Sequence, residues 1–254
     1  MPHRYNSNQH TLSSSSRIDK RMFIFVLIYI AMLILVPIIV VFGTLGLTAA
    51  ITQQPPNASL FPITLSVSIL LAQIVALIIF YKMYQSRVKS FIQQQIMQSR
   101  ISNTKRRLIV VTLIVIAILC VIQLLSQCSP VQILDISTTS YTSVIMHSKL
   151  AILAVSLSTI IVKPMLDQLI FRYIFIHELA KKFPLRLVIP LSILCEVIVQ
   201  SYHFDSIVDV IPWLIIASGA TYLYISSHYN LIVSYYYQVA IEIFKLILLL
   251  IVFR

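Results

Sequence analysis

Apolar residues in this chain fall into runs of about 20, the length that crosses a hydrocarbon core as a helix. The runs are Met22–Val41, Leu60–Tyr81, Leu108–Leu125, Leu150–Val162 with its continuation, Leu187–Gln200, Val208–Ile225 and Leu231–Phe253. The fourth breaks at Lys163-Pro164 and extends, as one kinked helix, through Phe175. A proline is tolerated in such a helix when neighbours satisfy the freed carbonyl. The pattern predicts an all-α fold, a polytopic transmembrane helical bundle of about seven spans.

Composition removes the soluble alternatives. Hydrophobic residues make up 59% of the 254, charged residues 11%, and the mean hydropathy is +0.92. A soluble domain is about 25% charged, and so few polar residues cannot cover a water-facing surface. A soluble enzyme, a nucleic-acid-binding domain and a disordered protein are all excluded. The 19 Lys and Arg outnumber eight acids, yet they sit mainly at span ends. Arg4, Arg17, Lys20 and Arg21 precede the first span, and Lys82 to Arg107 fill the second loop. Lys181, Lys182 and Arg186 lie in the fourth. The first and third loops have no Lys or Arg, and the fifth is net acidic. Basic loops stay inside, so the expectation is a multi-pass protein of the cell membrane with a cytoplasmic N-terminus and Arg254 outside. The bilayer accounts for the bases, and no nucleic-acid partner is expected.

Residues 1–21 are polar, with a Ser13–Ser16 run, and read as a disordered cytoplasmic tail. Residues 22–143 read as three transmembrane helices with a basic cytoplasmic loop, and 144–254 as a core of four. Cys120, Cys128 and Cys195 are too scattered for a disulfide framework or a Cys-x-x-Cys site. Three glycines leave no phosphate-cradling loop.

Chemistry is sought among ionisable residues inside spans, where they are expensive and face a partner or a wet cavity. Asp167 and Arg172 lie five residues apart, about 500° on an α-helix, so they share a face imperfectly. Alone they read as an intrahelical pair or as a snorkelling Arg. Glu196 and His203 are seven apart and share a face. Gln238 and Glu242 are spaced i, i+4, with Lys245 within reach as an ion-pair partner for Glu242. Along ideal helices, Asp167 lies roughly 21 Å from the basic fourth loop, His203 roughly 25 Å and Glu242 roughly 18 Å from the same side. The three depths allow one shared intramembrane site.

Asp167-Gln168-Leu-Ile-Phe-Arg172 resembles the Glu-Glu-x-x-x-Arg motif of the CAAX-protease and bacteriocin-processing family of intramembrane endopeptidases, with Pro164, Leu169 and Phe171 in register. His203 stands where that family's second motif, Phe-x-x-x-His, has its histidine, although Val199 replaces the Phe. Asn230-Leu231 matches the turn before the third motif, His-x-x-x-Asn/Asp, whose two positions are here Gln238 and Glu242. The resemblance covers about residues 145–245. It implies Asp167 as the water-activating base, with His203, Gln238 and Glu242 around the scissile carbonyl. Arg172 would anchor the motif helix, and Gln168 would take the second Glu position. Glu196 is no part of the family pattern; as a supporting residue it would in part replace the missing carboxylate. The implied partners are a peptide or membrane-protein substrate. In another view of the family these residues hold a divalent metal such as zinc; here the cofactor stays unknown, with one in-register histidine to offer. The substitutions imply weakened or lost catalysis: Asp167 retracts the carboxylate, Gln168 cannot ionise, Gln238 is no imidazole, and Glu242 opposes an oxyanion. The outcome would be an endopeptidase homologue in peptide or prenylated-protein processing, or in bacteriocin self-immunity.

Two rival readings come from other classes. One is a seven-helix receptor or carrier, which an external N-terminus would favour. The other is a non-catalytic membrane assembly subunit, whose buried charges only pair between helices. The oligomeric state is open.

Overall fold

A computed structural model describes residues 20–99, 102–128, 148–200 and 210–252. The N-terminal tail up to 19, the third loop with Asp135, and the segment with His203, Asp205 and Asp209 lie outside the described residues. Helices are α1 (Lys20–Thr52), α2 (Leu60–Ser99), α3 (Ser102–Cys128), α4 (residues 149–178), α5 (Leu185–Gln200), α6 (Val210–Ser226) and α7 (Leu231–Val252). No strand occurs among the described residues.

Five of these helices, α1 to α4 and α7, are long and apolar enough to cross a membrane. The expectation was about seven spans; α5 and α6 are 16 and 17 residues long. At 1.5 Å per residue they reach roughly 24 and 26 Å, short of a core of about 30 Å. Large apolar side chains face outward along α1, α2 and α3, such as Ile39, Phe42, Leu71, Leu113 and Leu124. Buried positions instead include Asp167, Arg172, Glu196, Gln238 and Asn230. Water would disfavour that arrangement; a lipid bilayer, which asks backbone and charge to be satisfied inside the bundle, favours it.

Helix α4 is continuous through Pro164 because its turns change width. Leu157–Val162 and Gln168–Glu178 are π-helical, and Lys163–Asp167 between them is α-helical. A wide turn before Pro164 relieves the clash and missing donor that proline brings to an α-helix. Ser192 of α5 donates its hydroxyl to the Phe171 carbonyl at 2.6 Å, tying α5 to the wide segment.

Three apolar clusters flank the polar interior. Phe25, Ala76, Leu166 and Ile170 join α1, α2 and α4. Val115, Ala220, Val233 and Tyr237 join α3, α6 and α7. Leu169, Val188, Tyr224 and Leu231 close one end of α4 to α7. Gly219 permits the second cluster, since a Cβ there would strike the Tyr237 hydroxyl and ring.

Candidate functional site

The polar residues of α4, α5 and α7 converge between the apolar clusters. Asp167, Glu196, Gln238 and Glu242 line one narrow cavity, together with Lys163, Gln200 and Trp213. Two hydrogen-bonded units organise its walls.

The first unit spans α4 and α5. Lys163 Nζ donates to Gln200 Oε1 at 2.6 Å, and Gln200 Nε2 donates to Asp167 Oδ2 at 2.9 Å. Lys163 and Asp167 are one α-turn apart, so both reach the same amide. Gln200 thus relays between an ammonium and a carboxylate on its neighbour.

The second unit joins four helices. Arg172 Nη2 lies 2.7 Å from Glu196 Oε2, and Arg172 also donates to the Ala217 carbonyl of α6 at 3.2 Å. Gln238 Nε2 of α7 donates to Glu196 Oε1 at 3.0 Å. The sequence predicted Arg172 as an intrahelical partner of Asp167 or a snorkelling side chain. The observed partner is on α5, and the guanidinium is fully buried. The π-helical stretch accounts for the burial: with i→i+5 bonding, residues five apart lie about one turn apart, so Arg172 points inward on the side of Asp167 and meets Glu196 there.

Glu242 pairs with Lys245 Nζ at 2.6 Å, which is the local ion pair anticipated from their spacing. That ammonium lies 4.2 Å from the centre of the Trp213 ring, and Lys163 Nζ lies 5.8 Å from it. Both cations therefore lie over the ring of α6, one paired with Glu242 and the other bonded to Gln200.

Gln168 is not part of the lining. Its side chain is buried, and neither its amide nitrogen nor its oxygen has a partner among the described residues. His203 lies outside the described residues. Sequence reasoning missed Lys163, Gln200 and Trp213 as site residues. Signals for two of them were present: Lys163 is four residues before Asp167, and Gln200 four after Glu196.

Among the described residues no three His, Cys, Asp or Glu side chains group as metal ligands. The donor set also argues against a divalent ion. Asp167 and Glu196 already accept hydrogen bonds, Glu242 holds Lys245, and two ammonium groups flank Trp213. The described residues, which do not include His203, do not fit a divalent metal.

What the site can do chemically follows from its partners. A water-activating base needs a carboxylate free to take a proton. Asp167 has one oxygen engaged by Gln200. An oxyanion needs donors aimed at developing charge, whereas Glu242 presents negative charge beside Gln238. The arrangement provides alternating charge and amide groups, suited to holding a polar group in an apolar surrounding. Compared with protein-family models, curated proteins and solved structures, the chain matches none.

Proposed function

We propose that this is a seven-span membrane protein of CAAX-protease and bacteriocin-processing ancestry that binds a peptide or membrane partner, without cutting it, at the helices surrounding its intramembrane cavity. The observation that carries the reading is the convergence of Asp167, Glu196, Gln238 and Glu242 on one cavity. Asp167, Gln238 and Glu242 are residues that the motif resemblance selects, and Glu196 is an acid singled out by its place in an apolar span. Retention of the cavity supports the shared ancestry; the pairing of Glu196 with Arg172 and of Glu242 with Lys245 supports binding over hydrolysis.

The orientation in this reading has the N-terminus in the cytoplasm. Support comes from the ends of the helices: Lys82, Lys105, Arg106, Lys182 and Arg186 are exposed at one end of the bundle, as a cytoplasmic face requires.

One observation favours a second reading, an assembly subunit. The Arg172–Glu196 pair bridges α4 and α5 and, through Ala217 and Gln238, reaches α6 and α7. Such a network also serves as interhelical glue.

The test uses the full chain in lipid nanodiscs with a library of synthetic membrane-spanning peptides. Trp213 is the single tryptophan and lines the cavity, so its emission reports occupancy. The proposal expects peptides that shift this emission and emerge intact by mass spectrometry, with the shift lost in Asp167→Ala. Cleavage abolished by Asp167→Ala would overturn the non-cutting reading. No emission change with any peptide would favour the assembly subunit.

A further inference from the structure

Helix α2 is longer than a membrane needs. Its 40 residues correspond to roughly 60 Å, twice the hydrocarbon core. The apolar span ends at Tyr84, where the backbone leaves helical geometry (φ −123°, ψ 15°). Beyond this kink, residues 85–99 form a separate helical arm.

The two sides of the arm differ. On one side Gln95 is buried against the turn between α6 and α7: its carbonyl accepts from Asn230 Nδ2 at 2.8 Å, and its Oε1 accepts from the Leu231 amide at 2.8 Å. This fixes the arm at the end of the bundle where α6 ends and α7 begins. Around the surface that this contact leaves open, Ile92, Ile96 and Met97 are exposed, with Ile92 and Ile96 one turn apart. In sequence, Lys89 and Arg100 continue the same i, i+3, i+4 spacing. Lys82 before the kink and Lys105 and Arg106 at the start of α3 are exposed as well. Among the described residues no exposed acid faces them: Glu178, the acid at this end, is buried and bonded to Lys181.

From this we infer that the arm is an interfacial helix that binds anionic phospholipid at the bilayer surface on this end of the bundle. An apolar face flanked by cations is what an acyl-chain boundary under negative headgroups recognises. Straight continuation of α2 would carry Ile92, Ile96 and Met97 into water. The hydrogen bonds of Gln95 instead keep the arm against the α6–α7 turn. Topology alone asks for the bases and does not ask for the apolar row between them.

The experiment measures lipid retention on the intact chain in mixed micelles by native mass spectrometry, comparing phosphatidylglycerol with phosphatidylcholine. Phosphatidylglycerol is expected to be retained more strongly. Lys105→Gln with Arg106→Gln is expected to weaken it about fivefold per charge removed, while Lys105→Arg with Arg106→Lys keeps it. Ile96→Ser is expected to weaken retention of both lipids. Unchanged Trp213 emission in each variant certifies the fold. Equal retention of the two lipids, or indifference to the charge-removing pair, would overturn the inference and leave the face to an acidic protein partner.

Discussion

Arg172 and Glu196 form an ion pair at 2.7 Å with side chains 0% and 3% exposed, and it joins α4 to α5. Removing one member strands the other in a place where water cannot reach it. Arg172→Met is therefore expected to cost about 3–5 kcal/mol, and Glu196→Met a similar amount, while the double replacement costs much less. Unfolding of the reconstituted protein by sodium dodecyl sulfate, followed by circular dichroism, measures all three. Simple addition of the two single losses would show that the pair is not an energetic unit.

Gly219 faces the end of the Tyr237 ring, whose hydroxyl donates to the Ile216 carbonyl at 3.3 Å. A methyl at 219 has to push that ring from its place. Gly219→Ala is expected to lose about 1–3 kcal/mol through overpacking. In the Gly219→Ala/Tyr237→Leu background the added methyl is tolerated, because the obstructing hydroxyl and ring are gone. Thermal unfolding of the four proteins of this cycle decides: an equal loss from Gly219→Ala in both backgrounds would sink the account.

The helices were legible because a bilayer imposes a length on every apolar run, and α1 to α4 and α7 follow it. The extents of α5 and α6 were less so, since run length does not say where a backbone leaves the helix. Asp167, Glu196, Gln238 and Glu242 stood out as polar groups in apolar runs, and the structure brings them to one cavity. Their partners were harder to read. Lys163 lies one turn before Asp167 and Gln200 one turn after Glu196, but that spacing does not say that the two side chains bond each other. Their meeting at 2.6 Å depends on how α4 packs on α5. The direction of Arg172 depended on a π-helical stretch that hydrophobic periodicity does not encode. Trp213 carries no signal as a cavity residue until α6 is packed beside the two lysines.

That placement makes Trp213 a reporter. Lys245 Nζ is 4.2 Å from the ring centre and Lys163 Nζ 5.8 Å. A cation near an indole perturbs its excited state and, where desolvated, contributes about 2 kcal/mol. Lys245→Met is expected to shift the emission more than Lys163→Met, in the order of their distances. An emission spectrum unaltered by Lys245→Met would refute the contact.

The start of α7 yields a site-resolved prediction. The first four amides of a helix lack partners within it, and three of those in α7 are met by two side chains. Asn230 Oδ1 accepts from the Ile232 and Val233 amides at 3.0 and 3.2 Å. Gln95 Oε1 accepts from the Leu231 amide at 2.8 Å. Asn230→Ala should then speed hydrogen exchange at Ile232 and Val233 and destabilise the protein by about 1 kcal/mol or somewhat more, as loss of such a cap does. Gln95→Ala should speed exchange at Leu231 first, since the Asn230 cap on the next two amides is intact. Asn230→Asp keeps the cap acceptor but cannot donate to the Gln95 carbonyl. It should protect Ile232 and Val233 while loosening the α2 arm. Exchange read residue by residue separates the three patterns. Identical acceleration across Leu231 to Val233 in Asn230→Ala and Gln95→Ala would mean that the turn melts as a whole, and that the two side chains do not act on separate amides.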